Sequence, residues 1–351
     1  MIAYLVDRGF LDYNEKVSTY WPEFAQGNKE NVTLFDLINH RGGVNFLDTQ
    51  LTKSDLEDLD KLAKILAVQP HVFDGVPVRA YHAVTLGWYL NEIVRRVDPK
   101  HRTIGQIITE EISTQYDLEF YLSLPPNILP RVANVYTAPI TGNFMWMRNL
   151  LSDLWNKKIS ISFILNLLDR DDLMIKTFNH TFPGLPNIFE LGEVTKFEAF
   201  KFEGPSVIGF TNAKSIAKLG AIITNNGQLL NDNNNYRPLL SKNTIDLMST
   251  KLPIAWDYIF KGNVTYSIGG FPYIRFPGIE DVEFLGLGGI GGSIFIWNQE
   301  LGISFGYAMN AIWPPRIFDI GDERGWGVLK EIVNVVKKLK KEQSESSFTK
   351  K

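Results

Sequence analysis

Residues 283–309 read EFLGLGGIGGSIFIWNQELGISFGYAM, and this stretch decides the class of the fold. Within it, residues 283–286, 293–298 and 303–309 are rich in aromatic and β-branched side chains and are separated by glycine- and asparagine-containing turns. Strands this close in sequence pair most readily in an antiparallel sheet. We expect a further strand at residues 264–270, so that the sheet part of the chain covers about residues 253–338.

An amphipathic helix is predicted to follow this meander at residues 322–338. Its apolar positions recur with the helical period and form one face, made by Trp326, Leu329, Ile332, Val333, Val336 and Leu339. A helix with such a face is expected to pack on the sheet. Residues 339–351 are polar, and we expect them to form a frayed tail.

The first part of the chain, about residues 1–252, is predicted to be mostly helical. Helical periodicity predicts helices at residues 32–39, 53–66, 84–97, 104–112, 143–168, 211–225 and 241–249. Residues 122–140 contain four prolines and are expected to form loops. A helical block followed by an antiparallel sheet and a closing helix indicates an α+β fold, which we expect to be a single domain over residues 1–338.

The composition excludes several classes of partner and site. The chain is 44% hydrophobic and 21% charged, with a net charge of −3, so no basic surface for nucleic acid is expected. It has no cysteine, which excludes disulfides, thiol nucleophiles and thiolate metal sites. The five histidines, His40, His71, His82, His101 and His180, lack metal-ligand spacing, so we expect neither a metal nor a cofactor.

The first nine residues, MIAYLVDRG, resemble neither a signal peptide nor a membrane span. No basic region precedes the apolar run, and no window reaches the roughly 18 apolar residues that a span needs. By default these features predict a cytoplasmic protein, and they leave its oligomeric state open. The segment is expected to form the last turns of an apolar helix that ends at Gly9, in a domain that begins earlier.

Serine nucleophiles of hydrolases occur in recognisable sequence motifs. No G-x-S-x-G is present, and S-x-x-K occurs only at residues 215–218 and 347–350. The first lies inside a predicted helix with Ile216, Leu219 and Ile222 inward, and the second lies in the polar tail. We expect both to be structural coincidences.

Two other segments have the residue types for acyl chemistry. Tyr81-His82-Ala83 lies at a loop-to-helix junction, where a phenol can face a cleft. Residues 286–293, GLGGIGGS, let a backbone approach a ligand closely and offer N–H groups to an oxyanion. Taken alone, the first also fits a half-buried tyrosine, and the second also fits a tight glycine hairpin without a ligand.

Five segments in order resemble the serine β-lactamase and penicillin-binding-protein superfamily, in the branch of class C β-lactamases and related esterases. Residues 5–12 resemble the end of the helix that carries the S-x-x-K of the family, and residues 21–24 the loop after it. Residues 32–44 are similar to the I-T-x-x-x-L-L-x-H-x-S-G-L segment. Residues 81–83 occupy the place of Y-x-N, and residues 286–293 resemble the strand that carries K-T-G or H-x-G.

The resemblance implies a transpeptidase-like fold and an acyl-serine mechanism in which lysine and tyrosine move the proton. It places Tyr81 at the general-base position and the backbone N–H of Ile290 at one half of the oxyanion hole. It places His82, Ala83, Leu287, Gly288 and Gly289 at substrate-binding positions. The substrate implied is a small ester, amide or peptide-like molecule.

The sequence departs from the family in three places. Leu287 stands where the family has lysine or histidine, and Ala83 replaces the amide of Y-x-N. The S-x-x-K would fall roughly two to three helical turns before Met1, together with the N-terminal strands. We therefore expect residues 1–351 alone to be inactive, as an incomplete copy of an acyl hydrolase. The alternative is a non-catalytic relative that binds a ligand or a protein partner through the cleft that corresponds to the active site of the family.

Overall fold

The computed structural model describes residues 1–134, 136–137, 144–155, 169, 171–179, 202–229, 237–289, 291–312 and 321–348. Its α-helices are α1 (Ile2–Asp7), α2 (Val17–Tyr20), α3 (Leu34–Ile38), α4 (Lys53–Glu57), α5 (Leu59–Val68), α6 (Thr85–Val97), α7 (Ile104–Ile107), α8 (Thr114–Tyr116), α9 (Phe144–Trp155), α10 (Leu173–Asn179), α11 (Ala213–Thr224), α12 (Lys242–Met248) and α13 (Glu323–Phe348). A π-helical stretch, Ile108–Ser113, joins α7 to α8.

The strands are short and pair in separate sheets. They are β1 (Phe120–Tyr121), β2 (Tyr136–Thr137), β3 (Phe210–Thr211), β4 (Ala255–Asp257), β5 (Gly262–Val264), β6 (Tyr273–Ile274), β7 (Phe284–Gly288), β8 (Ile294–Asn298), β9 (Ile303–Tyr307) and β10 (Ala311–Ile312). Strands β6, β7, β8 and β9 form an antiparallel sheet in that order, and β4 and β5 form a separate hairpin. The predicted antiparallel meander and α+β class are confirmed.

The two faces of this sheet pack on different helices. Ile294 and Ile296 of β8 share a core with Leu329 and Val333 of α13. The alternate residue Trp297 points into the larger core of the helical part. On that side α11 packs closely on β8 and β9. Alternate side chains of β8 thus face opposite sides of the sheet, one side covered by α13 and the other by the helical region.

Glycine permits the close approach of strands β7 and β8. Gly286 has φ +131°, and a Cβ there would lie 2.2 Å from the carbonyl oxygen of Phe295. Gly286 is paired with Ile296 in the antiparallel register. The dense glycine string therefore has a packing role at its first member, whatever its later members bind.

Several predicted boundaries are wrong for identifiable reasons. The helix predicted at residues 53–66 is two helices, because Asp58 leaves the helical conformation and caps α5 through the N–H groups of Asp60 and Lys61. The strand predicted at residues 264–270 reduces to the end of β5 and isolated bridges at Tyr266 and Ser267. Residues 339–348, expected to fray, continue α13 to Phe348. Of the helix predicted at residues 143–168, residues 144–155 are helical; 143 and 156–168 lie outside the described residues.

The helical part has a large aromatic core. Trp21, Phe24 and Tyr89 are buried there and form mutual ring contacts at centroid distances of 5.6–6.0 Å. Within the described ranges, no helix combines the length and apolarity that crossing a bilayer requires.

Candidate active site

Tyr81 lies in the irregular segment that leads into α6. Two contacts fix the beginning of this helix: Thr85 Oγ1 donates to the carbonyl of Val44 at 2.6 Å, and the N–H of Gly87 donates to Ser206 Oγ at 2.7 Å. A Cβ at Gly87 would lie 2.5 Å from the nitrogen of Ser206, so this position needs glycine. The start of α6, four residues after Tyr81, is therefore held against two separate loops.

The phenol ring of Tyr81 is half-buried between two other rings. Its centroid lies 4.7 Å from that of His40, at an interplanar angle of 61°, and 4.8 Å from that of Phe260, at 30°. Its hydroxyl makes no hydrogen bond within the part of the chain that the structure describes. The ring is thus fixed by packing, while its polar end has no protein partner there.

The surroundings of Tyr81 favour the neutral phenol. Burial, and then the carboxylate of Asp257, raise the pKa of Tyr81 to about 12. At pH 7 about one molecule in 10⁵ would therefore carry a phenolate. A base at this position would need a neighbouring positive charge to lower that pKa.

His82 and Ala83, predicted at substrate-binding positions, lie in the interior. His82 is 1% exposed; its Nε2 accepts from the N–H of Val44 at 3.2 Å, and its Nδ1 bonds the carbonyl of Ala80 at 2.5 Å. This arrangement requires the neutral tautomer with the proton on Nδ1. Burial lowers the pKa of His82 to about 4. Ala83 is 7% exposed and belongs to the main core.

His40 and Asp257 also belong to this site, although the sequence motifs predict no role for either residue. His40 accepts from the backbone on both sides of Tyr81, and Asp257 accepts from the N–H of Tyr81 itself. Burial, His82 and Arg79 lower the pKa of His40, whereas burial raises the pKa of Asp257. His40 and His82 are 42 residues apart in sequence, and Tyr81 and Asp257 are 176 residues apart, so no local sequence pattern relates the partners.

The glycine-rich strand is described up to Gly289. Leu287 is 48% exposed on β7, and Gly288 pairs with Ile294. The N–H of Gly289 donates to the carbonyl of Ser293 at 2.9 Å, so this donor is already used. Ile290 lies outside the described residues, and its oxyanion-hole role and its position in one cleft with Tyr81 stay predictions.

The serines of the two S-x-x-K strings occupy structural positions. Ser215 is buried in the first turn of α11, and its Oγ accepts from the N–H of Glu119 at 2.9 Å. Lys218 is paired with Asp117 at 3.3 Å. Ser347 lies in the last turn of α13. None of the hydrogen bonds found for Ser215 links it to Tyr81.

The described residues contain no group of three or more histidine, aspartate or glutamate side chains placed to hold a metal ion. A cavity of about 340 Å³ lies between residues 28–36 and 71–77. Its lining includes His71 and three carboxylates but not Tyr81. This cavity is therefore distinct from the environment of Tyr81.

Comparison with known proteins identifies the family. The beta-lactamase family profile matches residues 1–320. The Esterase/beta-lactamase LipL of Mycobacterium tuberculosis (strain ATCC 25618 / H37Rv) is 26% identical over 327 residues, which cover 90% of this chain and 67% of that protein.

Two solved structures are similar over nearly the whole chain. A family VIII carboxylesterase is 25% identical with a TM-score of 0.74, covering 95% of this chain and 79% of that one. A penicillin-binding protein homolog from Caulobacter crescentus is 25% identical with a TM-score of 0.69, covering 92% and 76%. Together with the family match over residues 1–320, the antiparallel sheet and the helical region confirm the transpeptidase-like fold, and the chain belongs to the beta-lactamase family.

Proposed function

We propose that this chain carries the general-base tyrosine, Tyr81, of an acyl-hydrolase site. The site acts on small esters through an acyl-serine intermediate. The observation that carries the proposal is the environment of Tyr81. Its ring is held between His40 and Phe260, and its hydroxyl has no partner among the described residues. A phenol held in this way is suited to exchange a proton with a substrate or a nucleophile.

One exposed residue favours esters over β-lactams as substrates. Leu287 is 48% exposed at the position where the resemblance places the lysine or histidine of the family, and its side chain cannot donate to a substrate carboxylate. Ala83 is buried in the main core, so its side chain does not contribute to this preference. A neutral ester needs no such donor, so binding energy is lost selectively for the charged β-lactam.

The nucleophile is the component that residues 1–351 do not provide at a matching position. No S-x-x-K precedes Tyr81 in this sequence. A reading frame upstream of Met1 that encodes an apolar helix with S-x-x-K would support an acyl hydrolase. Its absence from the gene would favour the second candidate, a non-catalytic relative that binds a ligand or protein partner.

The test is an esterase assay on the protein extended by that upstream helix. We expect p-nitrophenyl ester hydrolysis that falls by about 10² or more in Tyr81→Phe, since general base catalysis contributes that much. Tyr13→Phe is the matched control, because Tyr13 is also buried and burial raises its pKa to about 12 as well. Equal activity in the wild type and Tyr81→Phe would refute the proposed role.

A further inference from the structure

Three consecutive backbone N–H groups around Tyr81 are held by two residues from distant parts of the chain. Ala80 N–H donates to the carbonyl of His40 at 2.8 Å, and His82 N–H donates to His40 Nδ1 at 3.1 Å. Between them, Tyr81 N–H donates to Asp257 Oδ1 at 3.4 Å. Residues 79–82 belong to no helix or strand, so these bonds replace a regular ladder.

Asp257 connects the backbone of Tyr81 to the ring that packs on it. The same Oδ1 accepts from the N–H groups of Ile259 at 2.8 Å and Phe260 at 3.0 Å. Asp257 is fully buried, so water does not compete for this oxygen. One carboxylate oxygen therefore fixes both the main chain of Tyr81 and the turn that presents Phe260 to its phenol.

His40 reaches its two acceptor positions through an unusual backbone conformation. Its φ is +59°, in the left-handed region that disfavours most residues with a side chain. In this conformation its carbonyl and its Nδ1 accept from the N–H groups on either side of Tyr81, while its ring packs against that residue. Nδ1 can accept only when the ring is neutral with its proton on Nε2.

We propose that His40 and Asp257 are positioning residues that fix the phenol of Tyr81 for proton transfer, an inference that rests on the proposed function of Tyr81. Neither residue needs to touch the substrate. Each acts through hydrogen bonds to the segment that carries Tyr81. His40 also packs its own ring on the phenol, and Asp257 holds the backbone of Phe260, whose ring packs on the other side. The two residues come from distant parts of the sequence and form a clamp on the segment that carries Tyr81.

The test reads the environment of Tyr81 directly, so it does not depend on activity. The 351-residue protein is labelled with 3-fluorotyrosine, and the ¹⁹F signal of Tyr81 is assigned by its loss in Tyr81→Phe. In Asp257→Ala and His40→Ala we expect this signal to move at least halfway toward the position of solvent-exposed 3-fluorotyrosine. Asp257→Asn keeps an oxygen acceptor and leaves the rings of His40 and Phe260 unchanged, so it should retain most of the native shift.

The matched control is Asp7→Ala. Asp7 also holds a backbone N–H and a hydroxyl, those of Ser241 and Thr244, but on helix α12. It should lower stability and leave the Tyr81 signal in place. An unchanged Tyr81 signal in folded Asp257→Ala and His40→Ala, or an equal movement in Asp7→Ala, would overturn the clamp.

Activity of the extended protein separates the two proposals. If the clamp is correct, Asp257→Ala lowers kcat by about tenfold or more with little change in KM, because a misplaced catalytic group costs rate rather than binding. Asp257→Asn should recover most of this loss. Activity lost in Tyr81→Phe but retained in Asp257→Ala and His40→Ala would refute the clamp alone. Full activity in Tyr81→Phe would refute the proposed function, while the ¹⁹F signal still decides whether the two residues hold Tyr81.

Discussion

At the scale of single residues, Gly43 has a left-handed backbone next to the ring of His71. Its φ is +62°, and a Cβ there would lie 2.2 Å from Cε1 of that ring. Gly9 has a similar φ of +74° with nothing within 4 Å of its Cβ position. A side chain at Gly9 would therefore meet only backbone strain, whereas one at Gly43 would meet both strain and steric overlap.

Gly43→Ala is expected to lower the free energy of unfolding by about 2–4 kcal/mol, the sum of strain and overpacking. Gly9→Ala should cost only about 1 kcal/mol, since strain acts alone. Urea unfolding of both variants measures the difference. Equal losses would show that the ring of His71 gives way without cost.

At the scale of elements, α13 is anchored to the sheet by one face. Val333 is fully buried in the core that it shares with the sheet, whereas Val335 is 56% exposed on the same helix. Val333→Ala should cost about 2 kcal/mol, from two lost methyl groups and the cavity that remains. Val335→Ala should change stability by less than about 0.5 kcal/mol. Similar values for the two variants, measured by denaturant unfolding, would place α13 off the sheet.

The end of α5 depends on a buried lysine. Lys29 is fully buried, and its Nζ donates to the carbonyls of Gln26 at 2.9 Å, Ala67 at 3.0 Å and Gln69. Two of these carbonyls lie at the C-terminal end of α5, where backbone acceptors lack helical partners.

Lys29→Met should therefore lower the free energy of unfolding by about 3 kcal/mol, because it leaves buried carbonyls without donors. Lys16→Met is the control, since Lys16 is exposed and its Nζ donates to a side chain, Oδ1 of Asn31, and not to buried carbonyls. Thermal unfolding of the two variants checks this prediction. A loss below about 1 kcal/mol for Lys29→Met would mean that water replaces the ammonium.

At the scale of the whole molecule, buried histidines make stability depend on pH. Burial lowers the pKa of His82 to about 4 and that of His40 well below its usual 6.5. Below about pH 6.5 the unfolded chain therefore binds protons at these histidines that the folded chain does not bind. The free energy of unfolding falls as the pH is lowered from that value. For His82 alone the loss by pH 4 amounts to about 3 kcal/mol.

Buried Asp257 and half-buried Glu203 oppose this loss, because desolvation raises the pKa of both carboxyls. The histidine contribution is isolated by following imidazole nitrogens by NMR from pH 7 to 5. We expect His82 to stay neutral throughout while the unfolding temperature falls. Protonation of His82 near pH 6.5 in the folded protein would contradict its burial.

The sequence predicted the elements whose patterns are local. The strands around residues 293–309 follow from periodicity, and so does the packed face of α13 at Trp326, Leu329, Val333 and Val336. Two residues predicted on that face, Ile332 and Leu339, are exposed, because the helix extends past the sheet and its stripe is narrower than the periodicity indicated. The choice of Tyr81 came from family motifs in order. The predicted fold class is confirmed. The break at Asp58 was missed because a helix cap interrupts an unbroken apolar stripe. His40 and Asp257 were missed because their link to Tyr81 exists only after residues far apart in sequence have met.

The central proposal is that Tyr81 belongs to an acyl-hydrolase site and that residues 1–351 do not supply its nucleophile. It is tested most directly by a burst assay of the 351-residue protein with an activated ester, followed by mass spectrometry of the intact protein. We predict no burst, no stoichiometric acyl adduct, and turnover equal to that of Tyr81→Phe. An adduct on Ser215, or on any other serine, that disappears when that serine is changed to alanine would contradict the claim.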